Sequence, residues 1–242
     1  MKLLPFQYGS YLPILMYHFI DGQGERESLS VSLPVFEKHL RYLADNGFRV
    51  LSLETFVGMR LTNSKISCPA AAITFDDGDQ AFFLKVYPLL EKYRMPATVF
   101  VIADRIGKKG FLGWPEMRQM REDLVTIGSH GLSHDYLPDL APEDSRKEIF
   151  ESKRVLEEGL RREVELFSYP VGGFNAQIAG FVKEAGYLAA CTTNRGRNFN
   201  HRDLFRLKRI KMTEKTLSPL ALAGKLSGLY LIPTEFSAEP CC

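Results

Sequence analysis

Short apolar, β-branched runs alternate along the chain with longer stretches in which apolar residues recur every three or four positions. The first pattern is that of buried strands, the second that of helices with one core-facing side, and their alternation is what a parallel sheet joined by helical crossovers requires. The strand-like runs are Ile14–His18, Phe48–Leu51, Ala71–Phe75, Thr98–Ile102, Val125–Gly128, Leu166–Tyr169, Tyr187–Cys191 and Phe205–Ile210. Helices are predicted over Pro34–Asn46, Leu53–Arg60, Gln80–Tyr93, Trp114–Glu122, Pro142–Leu160, Ala176–Ala185 and Ser218–Ser227. Ser32 with Pro34, and Pro142 with Glu143 and Asp144, suit helix starts, whereas Asn46-Gly47 and Ala185-Gly186 suit helix ends. Seven or eight such units in 242 residues predict one α/β domain over 1–242, a closed or nearly closed barrel undivided by repeats or linkers.

In folds of this kind ligands meet the loops that follow the C-terminal ends of the strands. Four predicted strands carry polar residues there: His18, then Asp76-Asp77-Gly78, then Ser129-His130, then Ser168-Tyr169-Pro170. The carboxylate pair sits in Thr74-Phe75-Asp76-Asp77-Gly78, where strand alternation points neighbouring side chains apart and favours separate roles, although Asp-Asp-Gly is also a common turn sequence. His130-Gly131-Leu132-Ser133-His134 carries two imidazoles four residues apart, a spacing that aligns them if the segment takes a helical turn. Two neutral imidazoles and a carboxylate suit a zinc-like divalent ion with a position left open for water, with hydrogen-bonded loop histidines as the plainer alternative. Of the other histidines, His39 reads as structural in an amphipathic helix and His201 as a loop residue.

Composition narrows the picture by exclusion. With 45% hydrophobic, 25% charged and 12% aromatic residues the chain is ordinary globular material, neither disordered nor fibrous. Thirty-one basic against 29 acidic residues are dispersed, which gives nucleic-acid binding no support. Arg195-Gly196-Arg197 and Lys208-Arg209-Ile210-Lys211 read as solvated surface, the latter keeping a membrane-lipid substrate open. Cys68, Cys191, Cys241 and Cys242 form neither a zinc spacing nor a disulfide framework, and the terminal pair reads as a frayed tail, with lipid attachment as the alternative. Pro5, Gln7, Gly9, Ser10 and Pro13 interrupt any signal-peptide core, and no run reaches the ~20 apolar residues of a membrane span. The expected location is therefore cytoplasmic or peripheral to a membrane.

The motifs TFDDG at Thr74–Gly78 and SHGLSH at Ser129–His134, in that order, resemble the NodB-homology polysaccharide deacetylases, carbohydrate esterase family four. The likeness runs from His18 to about Ile210, a motif core of about 14–212. It implies a distorted (β/α)7-8 barrel, a divalent metal cofactor (zinc, with cobalt and nickel as alternatives) and hydrolysis of N-acetyl groups on an N-acetylglucosamine-containing polysaccharide or glycan. By the same resemblance Asp77, His130 and His134 are the metal ligands and Asp76 the general base. The third family motif usually reads Arg-x-Pro-Tyr-Gly, whereas this chain has Ser168-Tyr169-Pro170-Val171-Gly172, without the arginine and the tyrosine. Arg209 is the candidate for orienting the base in its place, and Pro170 and Val171 are expected at the substrate, the latter through its backbone N–H at an oxyanion. The late Leu-x-His motif that usually supplies the acid is absent after residue 200. Leu15-Met16-Tyr17-His18 instead resembles the circularly permuted subgroup that includes the poly-β-1,6-N-acetylglucosamine deacetylases, and makes His18 the acid. Trp114 and Tyr169 are expected to line the pocket, with packing as the alternative for both, and Asp79 is expected to cap a helix. Two rival functions stand beside glycan deacetylation: deacylation of a lipid-linked sugar or other small amide, and an inactive carbohydrate-binding barrel, suggested by the altered third motif. The partners to look for are an N-acetylated glycan substrate and a glycan-synthesis enzyme beside which the protein would work.

Overall fold

The computed structural model describes residues 12–22, 24–64, 66–196, 198, 203–216 and 218–227; the first eleven residues, Arg197, His201, Cys241 and Cys242 lie outside them. Strands β1 (Ile14–Tyr17), β5 (Ala70–Phe75), β6 (Ala97–Val101), β7 (Val125–Ser129), β8 (Leu166–Ser168), β9 (Ala189–Cys191) and β10 (Ile210–Lys211) form one curled parallel sheet in the order β10-β1-β5-β6-β7-β8-β9. The short β4 (Arg49–Val50) also pairs with β5, and β2 (Phe19–Ile20) pairs with β3 (Ser30–Val31) beside the main sheet. Around the sheet lie α1 (Leu33–Asp45), α2 (Leu53–Leu61), α3 (Tyr87–Tyr93), α4 (Trp114–Gln119), α5 (Pro142–Leu160), α6 (Ala176–Glu184) and α7 (Pro219–Ser227). Among the described residues no helix is long and apolar enough to cross a membrane.

Strand alternation sorts the core into two apolar clusters. Leu15, Ala71, Ile73, Phe75, Val99, Val101, Ile127 and Phe167 pack outward, in a large cluster with the helices. Ile14, Ala72, Phe100, Leu166 and Cys191 join a smaller cluster inside the curl, closed by Leu53, Phe56 and Val57 of α2. The inward parity of β5 therefore includes Thr74 and Asp76, that of β7 includes Gly128 and His130, and that of β8 includes Ser168. One chemical constellation is placed on one face by period alone.

The two edges of the sheet meet along residues 207–211. Leu207 bridges to Cys191, donating to the Ala190 carbonyl (2.9 Å) and accepting from Thr192 N (2.8 Å), while Ile210 and Lys211 pair with Leu15 and Met16 of β1. The predicted strand Phe205–Ile210 is corrected accordingly: Leu204–Arg206 is a 3-10 turn and only Ile210–Lys211 is strand. The segment must change partner from β9 to β1, so it cannot run as one continuous ladder. Arg209 sits at that change of partner.

Other boundaries move less. The helix predicted to Glu122 stops at Gln119, with Met120 extended and Arg121 N bonded to the Tyr87 hydroxyl (3.3 Å). The predicted helix Gln80–Tyr93 contains a π-helical stretch, Phe82–Val86, next to the acidic loop, a placement common near functional sites. Gly47 and Gly186 carry the positive φ values, 68° and 88°, that end α1 and α6.

Gly128 lies under the Phe100 ring, and a Cβ there would stand 2.5 Å from Phe100 Cδ1 and 3.1 Å from the Leu166 carbonyl oxygen. Neither neighbour can retreat, because Phe100 is fully buried inside the curl. Gly128→Ala is expected to lower stability by about 1–3 kcal/mol, measured as a shift of the urea midpoint with an unchanged slope.

Candidate active site

β1 and β5 are in register at Tyr17 and Phe75, and Asp76 N donates to the Tyr17 carbonyl (2.9 Å), so His18 and Asp76 leave neighbouring strands side by side. Asp76 is 1% exposed and Arg209 0%. The guanidinium meets the carboxylate in a fork, Nη1 to Oδ1 and Nη2 to Oδ2, both at 2.7 Å. Its remaining donors go to Thr74 Oγ1 (3.3 Å), Ser168 Oγ (2.9 Å) and the Thr192 carbonyl (2.9 Å). Burial alone would push the Asp76 carboxyl up, but the charge and hydrogen bonds of Arg209, with His130 and His18 nearby, hold it well below the usual carboxylate range. The reading of residues 208–211 as solvated surface fails at Arg209 and at Ile210, both buried.

Asp77 breaks the strand alternation. Its φ of 73°, followed by 71° at Gly78, swings its carboxylate across to the imidazoles. A Cβ on Gly78 would lie 2.8 Å from Val101 Cγ1, so the turn demands glycine sterically as well as conformationally. Asp77 Oδ1 lies 3.5 Å from His130 Nε2 and 3.5 Å from His134 Nε2. Donors bound tetrahedrally at about 2.0–2.1 Å from zinc stand about 3.3–3.4 Å apart, so this carboxylate is spaced as a co-ligand of both rings. His130 Nδ1 donates to the Ser168 carbonyl (2.8 Å), which leaves the lone pair on Nε2, aimed into the cluster. The ligand atoms of Asp77, His130 and His134 all lie within 4.8 Å of one another, and the set fits a zinc-like divalent ion.

The helical turn expected for residues 130–134 is absent. The segment is an irregular loop with φ of 77° at Gly131 and 79° at His134, and it brings the rings to a 4.8 Å edge-to-face contact. Burial pushes the His130 imidazole down to about 4 against the pull of Asp76, and lowers that of His134, where Arg105 adds to the effect. His18 is half-buried and is likewise pushed down to about 4, by burial first, with Asp76 opposing and Arg209 and Lys211 adding. All three rings are neutral at pH 7, the form a metal ligand requires.

The other predicted residues divide. Val171 is 43% exposed and takes φ 55°, ψ 5°, left-handed backbone that a β-branched residue rarely adopts. Pro170 is buried close to Gly131, whose added Cβ would meet its Cγ at 3.1 Å. Tyr169 is core: it is fully buried, stacks on Phe174 at 5.0 Å and donates to the Phe205 carbonyl (3.0 Å). Trp114 is not gathered into the cluster; its indole lies against Gly159 of α5, where an added Cβ would stand 2.2 Å from the ring. Asp79 accepts from Ala81 N (2.9 Å) at the start of the helix that follows the acidic loop. His39 is buried between the Tyr17 hydroxyl and the Thr216 carbonyl, 3.0 Å from each. The sequence reading missed Thr74 and Ser168 as partners of Arg209, and missed Glu148, which binds the loop between the two histidines. Their signal was present as polar residues at positions whose period is that of the core.

The sequence profile of the polysaccharide deacetylase family matches residues 63–190. YxkH of Bacillus subtilis (strain 168), which carries a polysaccharide deacetylase name, is 33% identical over 220 residues, 91% of this chain and 76% of that protein. A poly-β-1,6-N-acetyl-D-glucosamine N-deacetylase of Staphylococcus aureus (strain MRSA252) is 25% identical over 70% of this chain, which spans 63% of that protein's length. Among solved structures, the Streptococcus pyogenes deacetylase PplD in complex with acetate superposes with a TM-score of 0.84 at 27% identity, covering 90% of this chain and 99% of that one. IcaB from Ammonifex degensii shares the fold, with a TM-score of 0.78 at 22% identity over 90% of this chain and 98% of that one.

Two expectations follow from the buried charges. Arg209→Met strands the Asp76 carboxylate and should cost about 3–5 kcal/mol in urea unfolding, with part of the loss recovered in the double variant D76N/R209M, where no lone charge is left. The depressed histidines set the pH response: in the metal-free protein the unfolded chain binds more protons than the folded one between about pH 6.5 and pH 4, so stability should fall as pH drops through that window. Urea midpoints at pH 7.5 and pH 5 check the sign.

Proposed function

Because the chain belongs to the polysaccharide deacetylase family, we propose that it is a metal-dependent hydrolase that removes N-acetyl groups from a polymer containing N-acetylglucosamine, releasing acetate. The observation that carries this reading is the Asp77, His130, His134 cluster with the Asp76–Arg209 pair beside it. The name of the Staphylococcus aureus relative points to poly-β-1,6-linked N-acetylglucosamine as the first polymer to test. Acetate, held in the Streptococcus pyogenes structure, is the acid such a hydrolysis releases.

A divalent cation on Asp77, His130 and His134, zinc with cobalt and nickel as alternatives, would supply Lewis acidity toward the acetamide carbonyl and a lowered pKa for water. Asp76 takes the proton of the attacking water. Arg209 keeps that carboxylate ionised and fixes the direction of its lone pairs, the role the family gives to the arginine that Ser168 replaces. Val171 offers its N–H to the oxyanion that develops on the former carbonyl, from the left-handed centre of the short Pro170–Gly172 turn. His18 protonates the departing sugar nitrogen. As a neutral ring in the resting site it must gain that proton during the reaction, and Asp76, on the adjacent strand end, is its source.

The inactive-binder reading was motivated by the missing arginine, and a guanidinium on Asp76 from the far edge of the sheet removes that motive. The test is acetate release from a panel of N-acetylated glycans and lipid-linked sugars by metal-free protein and by protein loaded with zinc, cobalt or nickel. His130→Ala should lose bound metal and turnover together. His18→Ala should keep the metal while kcat falls about 10²- to 10⁴-fold, and normal turnover by that variant overturns its role as acid. Release from lipid-linked sugars alone would move the activity to that substrate class.

A further inference from the structure

The loop that carries both histidines is short, irregular and strained. Gly131 and His134 have positive φ, 77° and 79°, and the segment forms neither helix nor strand. Its backbone groups therefore find partners in two neighbouring elements. On one side, after β6, Ala103 N donates to the Gly131 carbonyl (3.1 Å) and Asp104 N to the Leu132 carbonyl (2.9 Å). On the other side stands α5, whose buried face carries Ser145, Glu148 and Ser152, three and four residues apart and so aligned along the helix.

Each of the three holds a part of the loop. Ser152 Oγ is 2.9 Å from Ser129 Oγ, which in turn accepts from Gly131 N (3.3 Å). Ser145 Oγ donates to the Leu137 carbonyl (2.8 Å) beyond the second histidine. Glu148 makes the central contact: a single oxygen, Oε2, accepts from Leu132 N (3.0 Å) and Ser133 N (2.9 Å), the two consecutive amides between the ligands. Glu148 is 8% exposed, and its side chain takes no part in the metal cluster.

We propose that Glu148 is a positioning residue for the metal centre: its carboxylate, bound to the Leu132 and Ser133 amides, sets the separation and direction of the His130 and His134 imidazoles. Two adjacent N–H groups converging on one anionic oxygen form a charge-assisted clamp. That clamp grips the two residues just before His134, whose left-handed backbone is one that non-glycine residues rarely adopt. By fixing both rings it also fixes their spacing to Asp77 Oδ1, 3.5 Å from each. Gly131 belongs to the same device, since a side chain there would be caught between Pro170 Cγ at 3.1 Å and Glu148 Oε2 at 3.4 Å.

The inference rests on the metal-site reading, and the test separates the two. The full chain is titrated with Co²⁺ and followed by visible absorption, whose band shape reports ligand geometry. Glu148→Ala should weaken Co²⁺ about 10- to 100-fold and change the band shape, the size of effect expected when a group supporting a ligand is lost. Glu148→Gln keeps an oxygen in place for the two amides and should return affinity and spectrum toward wild type. If Glu148→Ala does not fold, Glu148→Asp, the same charge withdrawn by one methylene, should show the same loss. Wild-type affinity and spectrum in the Ala or Asp variant overturn the proposal while leaving the metal site standing. Equal weakness of Gln and Ala overturns the hydrogen-bond clamp, and failure of the wild type to bind Co²⁺ overturns the metal reading and this inference with it.

Discussion

A carboxylate and a guanidinium sealed away from water must satisfy each other, and in this protein the rest of the site is arranged around that obligation. Asp76 ends a central strand, Arg209 sits on the seam that joins the sheet's two edges, and their fork is also bonded to Thr74, Ser168 and Thr192. Desolvating two ions is expensive, and the cost is offset here by a complete set of hydrogen bonds. The pair consequently ties β5 to the seam and to the ends of β8 and β9, so the mouth of the curl cannot open without exposing an unmatched charge. The carboxylate proposed as the base is thereby rigid and ionised in the resting site.

Against that rigid frame the proposed ligand set is made by departures from regular structure. Seven described residues other than glycine have positive φ, and Asp77, His134 and Val171 are among them. Asn63, Arg94 and Arg161 lie at or just past helix ends, where left-handed residues are ordinary, but these three converge at the mouth of the sheet. Strand parity could deliver His18, Asp76 and His130 to one face; it could not turn Asp77 toward the same point, because neighbours in a strand diverge. Left-handed backbone supplies the missing rotation, and packing on Val101, Pro170 and Glu148 supports it.

In the proposed mechanism the altered third motif keeps one function with different parts. Ser168 still serves the centre twice, through its carbonyl on His130 Nδ1 and its hydroxyl on Arg209 Nη2. The positive charge on the Asp76 carboxylate comes from Arg209, 41 residues further along the chain than Ser168. A short side chain at Ser168 leaves the room that the guanidinium from the seam occupies.

Much of this was legible in the sequence. Alternating short and long apolar periods gave the α/β architecture, because burial of one face imposes its period on the residues, and Pro142–Leu160 emerged with the bounds its composition predicts. Adjacent aspartates and paired histidines at strand ends marked the chemistry, since few other groups can bind a cation or move a proton there. Local pattern failed where a residue's role depends on distant partners. Phe205–Ile210 has the composition of one strand but must pair with two; Trp114, left between pocket and packing by its sequence, lies against Gly159; nothing local singles out Glu148, whose partners Leu132 and Ser133 come from a loop earlier in the chain. By itself the chain's order of residues determined which groups are available and on which side of a strand they stand, because those depend on covalent spacing. Only the tertiary structure decided which charge meets which, because an ion pair between positions 76 and 209 is a matter of how the sheet closes, and closure is a property of the whole.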